Sequence, residues 1–251
     1  MIKSFFIIMC LTTASFSVKA LSSEEQSYRP NVFNLAQMYD FNPVKGDVSE
    51  LESTIYNDDG TIFYESILKM NANGCVESFY LKKNKDEYLN SSNTFLSVSL
   101  NNGKLIGKDD AGAVEMQLDE NCLITSLSNS AGVINNILNE KGYLKSRTIG
   151  ETGGILSKNF YNKNGLIINT KYYINSMVFS ESIINYYDEI NKPFDFDIKN
   201  KTLNEISSIV NSKCAYDKNR NPNDCDINIT ISPNNNPIEI HKKATVRAKY
   251  Y

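Results

Sequence analysis

From residue 56 onward the chain alternates apolar and polar residues in short runs, each closed by a cluster of Asn, Asp and Gly. The stretch YNDDGTIFYESILKMNANGCVESFYL, residues 56–81, sets the pattern. Asp58-Asp59-Gly60 and Asn73-Gly74 read as hairpin turns, because these residue types accept the positive φ angles that tight connections between strands need. Between them Ile62, Tyr64, Leu68 and Met70 share one face. The same grammar returns as LNEKGYL (138–144), YNKNGLI (161–167), YYDEINKP (186–193) and AYDKNRNP (215–222). The spacing is irregular, so this is a degenerate hairpin repeat and not a strict solenoid.

Two strands near the C-terminus are cleaner. Cys225, Ile227, Ile229 and Ile231 alternate with Asp226, Asn228 and Thr230. Ile238, Ile240, Ala244, Val246, Ala248 and Tyr250 alternate with polar residues that include His241, Lys243 and Arg247. A period of two means one buried and one wet face. Lys242 interrupts the apolar side and points to a bulge or an exposed edge. The Pro-containing segment 232–237 is the loop between these strands. TLNEISSIVNSK (202–213) puts Leu203, Ile206 and Val210 at helical spacing, yet it reads better as a strand leading into Cys214. The expected fold is mainly β: an antiparallel sheet built from successive hairpins, with few or no helices in the mature chain.

The N-terminus changes the compartment. Lys3 precedes an uncharged run from Phe5 to Val18, and Val18-Lys19-Ala20 carries small residues where a signal peptidase reads them. Residues 1–20 read as a signal peptide cut between Ala20 and Leu21. The run is too short for a spanning helix, which needs about 20 apolar residues, and no second such run follows. The mature chain then divides into a flexible segment, 21–33, and a single β-rich domain, 34–251. Loss of Lys3 and Lys19 takes the formal charge from −3 to −5. An acidic chain lacks the basic face that a nucleic-acid partner requires.

Cys10 leaves with the signal peptide, so four cysteines remain: Cys75, Cys122, Cys214 and Cys225. An even number in an exported chain reads as disulfides. Three connectivities exist, and spacing favours 75–122 with 214–225. A zinc site wants four closed ligands, but His241 is the single histidine and no C-x-x-C is present.

Reaction chemistry is hard to find. The chain has no G-x-S-x-G elbow, phosphate loop or H-E-x-x-H. GETGG (150–154) reads as a flexible turn. His241 lies on the polar face of its strand with no assignable nucleophile, and Asp58-Asp59 and Asp109-Asp110 sit in turns that favour Asp for its own backbone hydrogen bonds. Asp217, Asn219 and Asn221 match the first ligand positions of a calcium loop, but Pro222 stands where Gly is needed and Asn228 where the bidentate Glu belongs. No metal or cofactor is therefore expected. A membrane barrel is disfavoured too, because Lys243, Thr245, Arg247 and Lys249 would be poor lipid-facing residues.

YDFNPVKGDVSEL (39–51), GTIFYESILKMNANGCVESFYL (60–81), CAYDKNRNPNDCDINI (214–229) and the closing KYY (249–251) together resemble the YnfC-like family of bacterial envelope lipoproteins. The similarity runs from about residue 34 to the C-terminus and includes the places of the four cysteines. It implies an exported β-rich protein and no reaction. Family members carry a lipobox cysteine at the signal-peptide end. Here SVKALSS has none, and Met9 is a poor residue before Cys10. The expectation is a periplasmic protein, with a membrane-attached lipoprotein as the alternative. Its expected role is non-enzymatic binding or scaffolding of an unidentified envelope component. The rival is a hydrolase of cell-wall or sugar substrates that uses paired carboxylates.

Overall fold

A computed structural model describes residues 27–86, 88–89, 91–150, 152–232 and 236–251. The signal-peptide and cleavage expectations at Ala20 and Leu21 lie outside these residues. Among the described residues one helix, α1 (Pro30–Tyr39), is followed by sixteen strands. They are β1 (Val48–Asn57), β2 (Ile62–Met70), β3 (Val76–Lys83), β4 (Thr94–Asn101), β5 (Lys104–Asp109), β6 (Gly112–Leu118), β7 (Ile124–Asn129) and β8 (Gly132–Leu138). The second half holds β9 (Leu144–Ile149), β10 (Gly154–Tyr161), β11 (Ile167–Ile174), β12 (Met177–Asp188), β13 (Lys192–Thr202), β14 (Glu205–Tyr216), β15 (Pro222–Ile231) and β16 (Ile238–Tyr250).

Each strand pairs antiparallel with its sequence neighbour, and β1 pairs with β16 to close a barrel. Ile55 lies opposite Ala244 across that seam, and Leu51 opposite Ala248. The ambiguous segment 202–213 ends β13, turns, and forms most of β14, as the strand reading expects. Closure is new: the hairpin pattern gives a sheet, and the seam turns it into a barrel without free edges.

The hairpin repeat has a concrete geometry. Asn71, Asp119, Asn139, Asn162 and Asp217 each accept two backbone N–H bonds, from the residues two and four positions later. The fourth residue of each turn has positive φ: Gly74, Cys122, Gly142, Gly165 and Arg220. Antiparallel order places all these turns at one end of the barrel.

That end is plugged. Residues 30–33, which the sequence assigns to a segment ahead of the domain, open α1. Pro30 occupies its first turn, where a missing N–H costs nothing, and Asp40 closes it in the left-handed region with φ 59°. The helix meets strands all around the ring. Asn31 donates to Gly74 O in the β2–β3 turn. Asn34 donates to Gly142 O and accepts from Leu144 N, both at 2.8 Å. Tyr39 packs at a tilt against Phe79 of β3, and Gln37 accepts from Tyr161 Oη of β10. Contacts on opposite walls place α1 inside the barrel. Val32, Leu35 and Ala36 complete a core with Leu51, Leu68, Phe79, Leu105 and Met116.

Lys242 corrects the sequence reading. The β15–β16 register runs through it without a bulge, and the residue is 2% exposed. Its Nζ lies 2.7 Å from Asp86 Oδ2, 2.6 Å from Asn57 Oδ1 and 3.7 Å from the centre of the Phe63 ring. A carboxylate, an amide oxygen and an aromatic face together replace the water this ammonium loses.

Candidate ligand site in the barrel lumen

The inner wall is two-sided. On β1–β6 it is apolar and filled by α1. On β8–β14 two rows of inward positions are mostly Ser, Thr and Asn, with Arg147 among them. Tyr186 and Ile184 pack against the plug beside Phe33, which fixes the inward face of β12; Ser182 and Ser180 share it by alternation. Direct cross-strand pairing extends this face in rows. Asn136, Arg147, Ser157, Tyr172, Ser180 and Thr202 form one row across β8–β13. The neighbouring row is hydrogen-bonded. Thr170 Oγ1 donates to Asn159 Oδ1 (3.0 Å), Ser182 Oγ to Asn200 Oδ1 (2.7 Å), and Asn200 Nδ2 to Ser208 Oγ (2.9 Å). A third, nearer the plug, is aliphatic: Ile184, Ile198, Val210, Ile229 and Ile240.

Water reaches this wall. Ser180, Ser182, Asn200, Thr202, Ser208, Val210 and Arg147 are half-buried although they face inward, and Tyr172 is 47% exposed. Asp40, at the inner end of α1, is exposed, yet burial by the surrounding protein raises its carboxyl, with Lys83 opposing. The half-buried inward side chains above it line a water-accessible cup. Burial likewise raises the Tyr172 phenol, with Asp40 adding and Arg147 opposing. Burial raises the Tyr39 phenol as well, and Arg147 opposes there too. Arg147 is thus near both Tyr39 and Tyr172, and among the described residues its Nε is buried with no hydrogen-bond partner. Asn136 Oδ1, on the residue paired with it, is buried and unpartnered as well, while its Nδ2 donates to Ile124 O at 2.9 Å.

The outer wall is charged at mid-strand. Glu65 lies opposite Lys82 and Asp226 opposite Lys243. Lys104 pairs with Glu115 at 2.9 Å, and Lys171 with Glu181 at 3.4 Å. A single Lys or Arg facing lipid at the midplane costs about 2–4 kcal/mol; this surface carries such charges on many strands. No helix among the described residues is long and apolar enough to cross a membrane.

The residues singled out from sequence fall elsewhere. Cys75 bonds to Cys122, linking the β2–β3 and β6–β7 turns at the plugged end. Cys214 bonds to Cys225, directly opposite it on β14 and β15, with Cα atoms 4.0 Å apart. Asp217 caps its own turn, while Asn221 holds the connection from α1 to β1: its Oδ1 accepts from Lys45 N (2.7 Å) and its Nδ2 donates to Lys45 O (3.1 Å) and Tyr250 Oη (2.8 Å). His241 lies on the outer wall, its Nδ1 3.2 Å from Asp58 and its Nε2 3.6 Å from Asp226. Asp59 and Asp109 accept backbone N–H bonds within their turns, and Asp110 accepts from Phe95 N. Arg147 and the polar rows went unnoticed in sequence. Their only local signal is the replacement of aliphatic by hydroxyl and amide residues at alternate positions of β10–β14.

A family model matches residues 6–251; its description is uncharacterised protein family UPF0257. Among solved structures, the chain is similar to a porin-like protein from Bacteroides uniformis ATCC 8492, with a TM-score of 0.49 and 10% sequence identity over 80% of this chain and 96% of that one. No curated protein matches.

Proposed function

The chain belongs to the uncharacterised protein family UPF0257, and from that premise we propose that it is an exported envelope protein that holds a small ligand in the lumen of its barrel. The observation that carries this reading is the water-accessible polar wall facing inward. Hydroxyls and amides on the wet outside of a soluble barrel are ordinary. Lined up inside, opposite a plug that closes one end, they form a concave site with convergent polar groups. The charged outer wall favours a barrel surrounded by water over one surrounded by lipid.

Two measurements test it. Purified mature protein should stay monodisperse without detergent and give no conductance across a planar bilayer. Native mass spectrometry after incubation with an envelope extract should show a small molecule retained by the wild type. Ser182→Trp and Asn200→Trp, which fill the lumen, should lose it. Stable bilayer insertion, or equal retention by both tryptophan variants, would overturn the reading.

A further inference from the structure

Arg147 places a guanidinium in the lumen with no acid paired to it among the described residues. It projects into the cup from the middle of β9, and among the described residues its Nε is buried without a partner and no ion pair engages it. The contrast with Lys242 is instructive: that cation, also inward and more deeply buried, is held by Asp86 and Asn57. A buried donor left unmade costs about 1–3 kcal/mol, and more on a charged group, so the site is under-satisfied without an acceptor. Arg presents its donors in a planar fork that fits two oxygens of one carboxylate or phosphate.

The surroundings describe the rest of the ligand. Inside the cup, Ile198, Val210 and Ile240 are half-buried and continue the aliphatic row that Ile184 begins against the plug. At the open end the rim above β9–β14 is apolar. Ile149, Ile174, Met177, Val178, Phe179 and Leu203 are 40–71% exposed there. They cluster because the β11–β12 and β13–β14 turns touch, with Leu203 N donating to Phe179 O at 2.9 Å. An apolar rim, an internal aliphatic row and one unpaired guanidinium suit a molecule that joins a hydrocarbon chain to an oxyanion.

We propose that the lumen takes an anionic amphiphile, with its oxyanion on Arg147 and its hydrocarbon chain against the aliphatic row and the rim. This rests on the lumen reading above and names the class of ligand. A carboxylate head, as in a fatty acid, and a phosphate head, as in a lipid phosphate, share this chemistry.

Calorimetric titration of the mature protein with four probes below their micellar range tests it: dodecanoate, dodecyl phosphate, dodecyl maltoside and acetate. Saturable binding of dodecanoate, dodecyl phosphate or both is expected, and the tighter one identifies the head. Acetate, lacking a chain, should not saturate, and dodecyl maltoside, lacking a charge, should bind more weakly. Arg147→Met should abolish binding of the anionic probes, Arg147→Lys should retain part of it, and Arg247→Met on the outer wall should leave it unchanged. Circular dichroism and the melting temperature report whether Arg147→Met is folded; if it is not, Arg147→Lys and the contrast between dodecanoate and dodecyl maltoside carry the test. Equal binding of dodecyl maltoside and dodecanoate, or anion binding unchanged in folded Arg147→Met, would overturn the proposal. If none of the four probes binds but Ser182→Trp still expels an extract-derived molecule, the amphiphile falls and the lumen reading stands.

Discussion

Replacing Asp86 by Asn should destabilise the barrel by about 3 kcal/mol, although it removes one charge and almost no volume. The Lys242 side chain is 3% exposed and that of Asp86 10%. At their 2.7 Å separation the attraction is about 6 kcal/mol with an effective dielectric constant near 20. Most of this offsets the removal of both ions from water, so the pair itself contributes little net stability. Breaking it is another matter, because the ammonium stays buried with only Asn57 and the Phe63 ring, and uncompensated buried charges cost about 3–5 kcal/mol. Asn retains an oxygen that can accept from Tyr88 N and Leu89 N as Asp86 Oδ1 does, so the loop is spared and the charge is isolated. Lys242→Met in the Asp86→Asn background removes the stranded cation and should recover at least about 1 kcal/mol. The assay is urea unfolding of the four proteins in a double-mutant cycle. A loss below about 1 kcal/mol in Asp86→Asn, or additive losses in the double variant, would refute the argument. The pH dependence has a definite sign. Burial alone would raise the Asp86 carboxyl, but hydrogen bonds from Lys242 and the backbone of Leu89 and Tyr88 hold it below the usual range. Its contribution is therefore present above the unfolded carboxylate pKa, about 3.9, and is lost as pH falls through the lower folded value. Asp86→Asn should lack that component of acid unfolding.

Asn221→Ala removes the three hydrogen bonds that tie residue 45 and Tyr250 together; it should cost about 1–3 kcal/mol and speed amide exchange at Lys45 more than elsewhere, and unchanged exchange there would contradict the clamp. Gly142→Ala should cost more than Gly165→Ala in thermal unfolding. Both have φ near +80°, but a Cβ at 142 would come within 2.9 Å of Leu123 Cδ1 and 3.3 Å of Pro30 Cβ, whereas nothing lies within 4 Å at 165. Equal losses would show that the plug does not press on that turn. Cys214→Ala with Cys225→Ala should lower stability by about 2–4 kcal/mol under oxidising conditions, with no effect of calcium on the melting temperature of the wild type; a metal-dependent rise lost in Asp217→Ala would make the loop a binding site instead.

The sequence by itself determined what depends on neighbours a few residues apart. The hairpins follow from alternation and from Asx-x-x-Gly turns in which one side chain satisfies two N–H groups within five residues, a closed local geometry at Asn71, Asn139 and Asn162. Cys214 and Cys225 flank a turn with the same bonding, from Asp217 and with Arg220 in place of Gly, so their meeting was legible for the same reason. Alternation, however, only says that a strand has two faces. It does not say what covers them, and three consequences waited for the tertiary structure. The β1–β16 seam joins residues at opposite ends of the chain, and it makes the face that includes Lys242 an interior, where a residue that looks like an exposed break becomes a buried cation on Asp86. Pro30–Tyr39 is too short to hold as an isolated helix; it forms because the ring surrounds it and Asn31 and Asn34 find turn backbone to bond. Arg147 reads in YLKSRTIG as one more polar residue of a solvated face, and only closure of the barrel, which folds that face inward and pairs its guanidinium with no acid among the described residues, gives it a chemistry.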